Sequence, residues 1–487
     1  MTKYSQKLSR NIIDFFQVFF CQRICSLYFP KLPSIVIIQI LCNKLHLQTL
    51  TNGVAFSYTS QVPNFSMAIQ TKTCWFFSNV FLFLVGSFLV FLFKTSFYST
   101  SIFNNASVAG DEFSCEIDPP EPTFYDDPNL SYSIERRMEN WDHKRKTWLD
   151  HHCFFSAGAG ERILLVTGSQ PSSCENPIGD HLLLRLFKNK VDYCRIHGHE
   201  IFYNNAYLQP QMGSYWAKLP IIRAAMLAHP EVEWIWWMDS DAVFTDMEFK
   251  VPLERYKDHN LVVHGWPNMV YEDRDNKSWT GLNAGVFLIR NCQWSMELMD
   301  SWANMGPQSP DYKKWGPILT STFKDKQFPL PDDQSGLIYL ISKDRRKWGD
   351  KVYLEWEYYL ESHWIGVVES YDIITCGYRE MEKREVRLRR RHAERVSRFY
   401  GGLREPEIQK AGFRSGAGRR PFVTHFAGCQ PCSGNHNPTY DGDTCWKEIG
   451  RALNFADNQV LRTYGFVHSD LSSSAVYSLP FDYPHGE

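Results

Sequence analysis

The sequence predicts an α/β fold, with a Rossmann-like domain preceded by one N-terminal membrane-spanning helix. From Arg162 onward, short apolar runs typical of buried strands alternate with longer runs of helical periodicity. Nearer the N-terminus, the 19 residues 75–93 carry no charge. The 487 residues are 44% hydrophobic and 22% charged, which is enough for a large core and excludes disordered chains and disulfide-stapled miniproteins.

Five elements in chain order define the predicted sheet. They are a strand at 163–171, a helix at 181–198, a strand at 200–205, a helix at 215–230 and a strand at 233–239. Strands that alternate with helices predict a parallel sheet covered on both faces. Ligands of such sheets gather at the carboxyl ends of the strands.

Two charged segments lie outside this alternation. Residues 141–152 predict an amphipathic helix that follows a segment rich in Pro, Asp and Ser. Residues 379–398 contain nine basic and four acidic side chains and predict a solvated helix that ends at Gly401-Gly402. The alternative for this basic segment is a surface that binds phosphate or a partner.

The uncharged run at 75–93 is long enough to cross a bilayer, because a helix rises ~1.5 Å per residue and the hydrocarbon core is ~30 Å thick. Residues 1–98 contain one acid, Asp14, and eight basic residues: Lys3, Lys7, Arg10, Arg23, Lys31, Lys44, Lys72 and Lys94. This bias favours a cytosolic N-terminus and a lumenal body. A signal peptide is the competing interpretation, but the run is too long and too deep in the chain for one. The other alternative for residues 75–93 is a helix buried in the core of the protein.

The predicted organisation has four parts. They are a cytosolic leader or gene-model extension at 1–74, a transmembrane anchor at 75–93, a lumenal stem at 94–155 and a globular domain at 156–487. The 13 cysteines fit a lumenal body, where disulfides form. The formal charge of −2 excludes a generally basic protein that binds nucleic acid.

Two carboxylates, Asp239 and Asp241, follow the third strand of the predicted sheet. Alternate residues at a strand end can turn both toward one ion, and hard oxygen ligands suit Mg²⁺ or Mn²⁺ beside a diphosphate. Two alternatives remain at this point: a turn or helix cap made by an Asp side chain, or the nucleophile motif of haloacid-dehalogenase-type phosphatases. The phosphatase needs a second acidic motif on a later strand, whereas Asp332-Asp333 follows a Pro-broken loop.

The residues around this motif resemble a known family, plant glycosyltransferase family 34, which includes xyloglucan 6-xylosyltransferases and galactomannan galactosyltransferases. The matching blocks lie between about 119 and 484 and include LLVTGSQP, SYWAKLP, EWIWWMDSDAVFTDM, SWTGLNAGVFLIRNCQWS, DDQSGLIYL and FVTHFAGCQPCSG. The resemblance implies a GT-A fold, a single-pass type II protein of the Golgi membrane, a UDP-sugar donor, Mn²⁺ and α-1,6 transfer with retention.

The resemblance also implies three groups of site residues. The metal ligands are Asp239, Asp241 and His425. The donor-binding residues are Val166, Thr167, Gly168, Lys218, Ser240, Asn283, Gly428 and Gln430. The catalytic residues are Asp332, Asp333 and Gln334. Retention then proceeds by front-face attack near Gln334 or by a double displacement on an Asp.

Individual residues add detail to these groups. Some family members carry Lys where this chain has Gln430, and losing that cation weakens leaving-group stabilisation. Lys218 on its own also fits a surface lysine that extends its amine to solvent. The remaining aromatic and imidazole candidates for contacts with sugars are His264, Trp266, Trp279 and Trp302.

Four residues near the C-terminus allow two interpretations. Cys429, Cys432, His436 and Cys445 can form a zinc site, or the cysteines can pair as disulfides in a lumenal protein.

The activity expected from the resemblance is transfer of xylose from UDP-xylose to O6 of glucose in a β-1,4-glucan acceptor. The alternatives are galactose transfer onto mannan and a weakly active structural partner in a synthase complex. The expected partners are the glucan, the membrane, and the same or related glycosyltransferases in an oligomer, without nucleic acid.

A lumenal body predicts N-glycosylation at Asn105, Asn129 and Asn276, each in an Asn-x-Ser sequon, and none at Asn64. Endoglycosidase treatment of the protein expressed in plant cells is expected to increase its mobility on a denaturing gel. An Asn129→Gln variant should lose one glycan. Modification at Asn64 would contradict the predicted orientation.

Overall fold

The fold is built around a mixed six-stranded sheet. A computed structural model describes residues 122–272, 277–389, 394–412 and 418–480, all within the unit Phe113–Glu487. The predicted leader and the anchor at 75–93 lie outside these ranges. Among the residues described, no helix has both the length and the apolar character that a membrane crossing requires.

The described residues contain eleven strands, numbered in chain order. They are β1 (Ile163–Gly168), β2 (Glu200–Asn204), β3 (Trp234–Met238), β4 (Ala242–Phe244), β5 (Leu261–Gly265), β6 (Leu282–Arg290), β7 (Val352–Glu355), β8 (Ser362–His363), β9 (Val423–His425), β10 (Phe466–Val467) and β11 (Tyr477–Ser478).

Eleven α-helices pack around these strands in the part of the chain that the structure describes. They are α1 (Trp141–His151), α2 (Cys153–Ser156), α3 (Gly179–His197), α4 (Lys218–Ala228), α5 (Pro267–Tyr271), α6 (Gln293–Ala303), α7 (Tyr312–Thr322), α8 (Asp333–Lys343), α9 (Tyr371–Arg384), α10 (Glu394–Lys410) and α11 (Thr444–Leu461).

The main sheet has the strand order β2-β1-β3-β6-β5-β7. Strand β1 runs parallel to β2 and β3, whereas β6 runs antiparallel to both β3 and β5. The α/β class and the five predicted elements from β1 to β3 are confirmed. The parallel direction predicted for β1, β2 and β3 is also confirmed. The sheet as a whole is mixed, because β5 returns to β6 through the short helix α5 rather than through a crossover that would keep the strands parallel.

Both faces of the sheet are buried. Alternate residues of β1 point to opposite sides: Ile163 and Leu165 join one apolar cluster, and Leu164 and Val166 join the other. Helices α3, α9 and α11 cover the first face, while α1, α4, α6 and α8 cover the second. This sandwich accounts for the near-continuous hydrophobic strands of the sequence.

The described part of the predicted stem packs on the domain. Phe124, Ile134, Met138 and Trp141 are buried in the second apolar cluster. The indole Nε1 of Trp141 donates to Asn291 Oδ1 at 2.7 Å. This part of the predicted stem therefore contributes large apolar side chains to the core of the domain.

The basic segment also differs from its prediction. Helix α9 ends at Arg384, and α10 runs through Gly401 and Gly402 instead of ending there. A Cβ on Gly401 would lie 2.7 Å from the backbone oxygen of Glu248, so this glycine permits close packing rather than helix termination.

A buried network of charges joins these helices to the segment after β4. The Arg404 guanidinium lies 2.9 Å from Glu248 and 3.0 Å from Glu382, and Arg462 contacts Glu382 from the C-terminal end of α11. Burial opposes ionisation of Glu248, but Arg404 and Arg420 lower its pKa to about 2. The network replaces the solvated surface expected from sequence.

Two disulfides have both of their cysteines within the described ranges. Cys174, in the loop after β1, pairs with Cys432, and Cys429 pairs with Cys445 at the start of α11. The disulfide interpretation is confirmed for these cysteines. Thiolates held in disulfides cannot bind zinc, so the zinc interpretation is wrong.

Removing one member of the buried charge network is expected to destabilise the fold. Glu382→Gln leaves Arg404 and Arg462 without a shared carboxylate and should lower the free energy of unfolding by about 3–5 kcal/mol. Denaturant unfolding followed by circular dichroism measures this. Glu380→Gln, on the same helix but with its side chain 56% exposed, is the matched control and should change stability by less than about 1 kcal/mol. Equal stability of both variants would contradict the role of the network.

Candidate functional site

The two acidic residues of the Asp-Ser-Asp segment lie in a turn between β3 and β4. All five residues of β3 are buried, so the chain meets solvent only as the strand ends. The Asp239 backbone N–H donates to Gly285 on β6 at 2.8 Å, and Ala242 donates to Asp239 at 3.2 Å. These bonds fix the turn against the main sheet.

His425 reaches this turn because β9 pairs with β4. Their antiparallel register places Ala242 opposite His425. The imidazole Nε2 lies 3.3 Å from Asp241 Oδ1 and 3.9 Å from Asp239 Oδ2. Ligand atoms from all three residues lie within 4.8 Å of one another, so the structure brings the three predicted metal ligands together.

A third carboxylate, Glu361, lies behind the histidine. Strand β8 runs parallel to β9, and Glu361 immediately precedes it. Its Oε1 lies 3.4 Å from His425 Nδ1. Although burial lowers the pKa of His425, Asp241 and Glu361 raise it well above its ordinary value. A carboxylate on the remote nitrogen of a metal-binding histidine typically orients the ring.

The chemistry of this donor set fits a divalent cation. Two carboxylates and one imidazole are ligands that Mn²⁺ accepts. The cluster also leaves space beside it, because position 285 is a glycine: a Cβ there would overlap the His425 ring and lie 2.8 Å from Asp239 Oδ2. Among the described residues, a second group at Glu200, His229 and Glu231 has the same ligand spacing but is more exposed.

Lys218 links the acidic turn to the start of α8. Its ammonium lies 3.3 Å from Asp239 and 2.7 Å from Asp333, and donates to the backbone oxygen of Ala284 at 2.8 Å. The side chain is 2% exposed, which excludes a surface lysine. Burial lowers its pKa, but the two carboxylates outweigh that effect and raise it. Burial raises the pKa of Asp333 to about 6, against the opposing charge of Lys218.

Asp332 is the N-cap of α8. Its carboxylate accepts from the Ser335 backbone at 2.9 Å and from Trp279 Nε1 at 3.1 Å, and it lies 2.7 Å from the buried Lys326 ammonium. With all of these partners, Asp332 holds the Trp279 loop rather than projecting freely into solvent.

Gln334 is placed between two backbone segments. Its Oε1 accepts from the Ala284 N–H at 3.1 Å, and its Nε2 donates to the Trp279 carbonyl at 2.9 Å. Asn283, two residues before Gly285, accepts from the Gly285 N–H at 2.8 Å. Both amides therefore contact the stretch of β6 at Ala284 and Gly285, which lies beside the three predicted metal ligands.

An open cleft of about 1080 Å³ lies beside these residues. Of the residues predicted from sequence, it is lined by Asn283, Gln334, Gly428, His264, Trp266 and Trp279. Glu361 also reaches its wall. Trp302 does not, because it is fully buried and donates to the Asp333 backbone at 2.7 Å. The prediction that Trp302 stacks on a sugar is wrong.

The residues predicted for nucleotide binding have different positions. Val166 and Thr167 are fully buried at the end of β1, and the Thr167 hydroxyl has no partner within the described ranges. Gly168 permits close pairing with β2, since a Cβ there would overlap the Asn204 carbonyl.

The other predicted donor-binding residues lie on two loops. Gly428 has φ +87° and packs against Tyr440. Gln430 is exposed and accepts from Ser433 at 2.9 Å. The Ser240 carbonyl accepts from Lys190 at 3.1 Å. Their contacts with a nucleotide remain predictions.

Three residues of the site were missed by sequence reasoning. Glu361, Gly285 and Lys190 each act through a contact with another part of the chain. Gly285 lies within the matching block SWTGLNAGVFLIRNCQWS, two residues after Asn283. Lys190 is 1% exposed, and burial lowers its pKa to about 7 against the opposing influence of Asp241 and Asp239.

The chain is similar to known proteins along most of its length. The sequence model of the galactosyl transferase GMA12/MNN10 family matches residues 159–436. Glycosyltransferase 6 of Arabidopsis thaliana is 59% identical over 425 residues, which cover 85% of this chain and 98% of that protein. Galactomannan galactosyltransferase 1 of Cyamopsis tetragonoloba is 61% identical over 368 residues, which cover 75% of this chain and 82% of that protein. Probable xyloglucan 6-xylosyltransferase 3 of Arabidopsis thaliana is 45% identical over 361 residues, which cover 74% of this chain and 70% of that protein.

Similar solved structures are distant. A glycosyltransferase involved in the glycosylation of the major capsid of PBCV-1 has 15% identity and a TM-score of 0.30, and covers 44% of this chain and 88% of its own. The galactosyltransferase LgtC, in complex with donor and acceptor sugar analogs, has 13% identity and a TM-score of 0.27, and covers 60% and 95%.

Adding one methyl group at position 285 is expected to impair metal binding. Gly285→Ala places a Cβ against His425 and Asp239 and should weaken Mn²⁺ binding at least about tenfold, as measured by electron paramagnetic resonance of free Mn²⁺. Gly450→Ala, in α11 with open space around it, is the control and should leave Mn²⁺ binding unchanged. Wild-type affinity in Gly285→Ala would exclude this cluster as the metal site.

Proposed function

Because this chain belongs to the galactosyl transferase GMA12/MNN10 family of glycosyltransferases, we propose that it transfers galactose from UDP-galactose to a β-1,4-mannan chain as an α-1,6 branch. The observation that carries this proposal is the 61% identity to galactomannan galactosyltransferase 1, against 45% to probable xyloglucan 6-xylosyltransferase 3.

The second candidate is the activity predicted from sequence, xylose transfer from UDP-xylose to β-1,4-glucan. The relative with a xylosyltransferase name supports it, because 45% identity extends over 361 residues. The two donors differ by one hydroxymethyl group, a difference that pockets discriminate by only ~1–3 kcal/mol. The phosphatase interpretation conflicts with the family, and Asp332-Asp333 begins a helix instead of ending a strand.

Asp239, Asp241 and His425 are the residues that would hold Mn²⁺. When bound, the ion supplies positive charge to the diphosphate leaving group. Glu361 orients His425 from behind, and Lys218 adds a buried cation on the side of Asp333. Such preorganised charge supports leaving-group departure because the groups need no reorientation during the reaction.

The carboxylates of the Asp332-Asp333-Gln334 segment favour front-face attack over double displacement. Asp332 is 3% exposed and caps α8, while Asp333 is 5% exposed and paired with Lys218. A carboxylate nucleophile must approach the sugar carbon, and these partners oppose that movement. Gln334 lies at the cleft without a charge to pair, so its amide is placed to contact the donor sugar.

The remaining expectations belong to the same proposal. The protein acts as a type II protein of the Golgi membrane through residues 75–93, with its enzymatic domain in the lumen, where mannan or glucan acceptors are branched. Assembly with its own copies or with related glycosyltransferases is part of this proposal. A mainly structural role in such a complex remains the alternative that Gln430 motivates.

A donor and acceptor matrix tests the activity. The purified protein with Mn²⁺ is incubated with UDP-galactose or UDP-xylose and with manno- or cello-oligosaccharides, and products are weighed by mass spectrometry. A hexose added to manno-oligosaccharides is the expected result. A pentose added to cello-oligosaccharides would replace the proposal with the second candidate.

Two variants control this assay. Asp239→Ala should abolish turnover because it removes a metal ligand, whereas Glu380→Gln, on the exposed side of α9, should retain wild-type activity. Absence of product from all four combinations, in a folded protein that co-purifies with active relatives, would support the structural role.

A further inference from the structure

Within the described residues, strand β4 pairs with no strand of the main sheet. One edge pairs with β9: Phe426 N–H donates to Asp241, and Thr245 N–H donates to Phe422. The other edge presents Ser240, Ala242 and Phe244. Buried backbone groups require partners, so this second edge must be satisfied by something other than a strand.

Two consecutive side chains of α3 supply these partners. Asn189 donates to the Phe244 carbonyl at 2.9 Å and accepts from the Phe244 N–H at 2.8 Å. Lys190 donates to the Ser240 carbonyl at 3.1 Å and to the Ala242 carbonyl at 2.7 Å. Together they occupy the edge in the manner of a neighbouring strand.

The two side chains act on different parts of the segment. Asn189 holds the end of β4, three residues after Asp241. Lys190 holds the carbonyls on either side of Asp241, the residue whose carboxylate contacts His425 at 3.3 Å. Lys190 is 1% exposed and cannot move to solvent without opening the packing between α3 and β4.

We propose that Lys190 is a positioning residue for the metal site: its amine fixes the backbone on both sides of Asp241 and thereby sets the direction of that carboxylate. This inference rests on the proposed function only through the assignment of Asp239, Asp241 and His425 as metal ligands. The role differs from general stabilisation, which Asn189 provides on the same edge.

The charge of Lys190 opposes the effect of its hydrogen bonds. An ammonium near Asp239 and Asp241 repels a cation, so removing the charge alone would strengthen metal binding. Removing the hydrogen bonds frees the turn and thereby weakens metal binding. Weaker metal binding after substitution of Lys190 therefore indicates that its hydrogen bonds position the turn. Tighter binding indicates that its charge competes with the metal cation.

The test measures Mn²⁺ affinity of the full-length protein in detergent, with UDP present, by electron paramagnetic resonance. Lys190→Met keeps the length of the side chain and removes its donors, and we expect it to weaken Mn²⁺ binding by about 10- to 100-fold. Asn189→Leu should lower thermal stability through Phe244 but leave Mn²⁺ affinity within about twofold of wild type. Lys188→Met removes a half-exposed charge from the same helix that pairs with Asp192 and Asp457, away from the predicted metal ligands, and should leave Mn²⁺ affinity unchanged.

Each outcome has a defined meaning. Tighter or unchanged Mn²⁺ binding in Lys190→Met overturns the proposal, as does equal weakening in Asn189→Leu. If Lys190→Met does not fold, Lys190→Gln, which retains an amide donor, is measured instead; about tenfold weaker binding supports the proposal and wild-type affinity overturns it. Absence of Mn²⁺ binding in the wild-type protein would instead refute the metal assignment of the proposed function.

Discussion

The antiparallel pairing of β4 with β9 is the contact on which the site depends. The pairing brings His425 to the Asp-Ser-Asp turn across nearly 200 residues of chain, and β8 adds Glu361 on its far side. Closing so long a loop costs conformational entropy, which further links offset. The Thr245 and Thr424 hydroxyls lie 3.0 Å apart inside this small sheet, and the disulfides of Cys429 and Cys432 anchor the loop that follows β9. The three predicted metal ligands are therefore held in place by contacts within the chain.

The same region buries three lysines, which is unusual because a buried ammonium must be paired or hydrogen-bonded. Lys218 lies between Asp239 and Asp333, Lys326 lies against Asp332, and Lys190 bonds to backbone carbonyls beside Asp241. Each ammonium group lies among several carboxylate or carbonyl oxygens and offsets their negative charge. The arrangement gives little net stability, since desolvation offsets much of the attraction, but it restricts each acidic residue to one orientation. We interpret the desolvation of these lysines as the free-energy cost of holding the charged groups of the site in fixed positions.

Sequence reasoning was most successful where local pattern decides structure. Strands β1 to β3, the two helices between them and the position of Asp239 all follow from hydrophobic periodicity and from the strand end that exposes the carboxylate. The antiparallel β6 was missed because direction depends on the length and path of a connection, not on the strand itself. Glu361 and Lys190 were missed because their roles arise only from the register of β8 with β9 and from the packing of α3 on β4. Trp302 was misassigned since composition does not distinguish a tryptophan of the core from one that stacks on a sugar.

Under the proposed function, Asp239, Asp241 and His425 would hold the metal beside the diphosphate that both donors share, so these residues would not distinguish galactose from xylose. The choice must depend on the cleft wall, where Trp279 and Gln334 meet β6. That wall is rigid: Asp332 holds the Trp279 indole, Gln334 holds the Trp279 carbonyl, and Asp325 accepts from the Trp279 N–H at 2.9 Å. A wall fixed at three points cannot retreat to admit an additional hydroxymethyl group or advance to fill the gap left by its absence. Under the proposed function, donor preference would therefore depend on the shape of this loop, and substitutions that loosen the loop would relax the preference before they weakened metal binding.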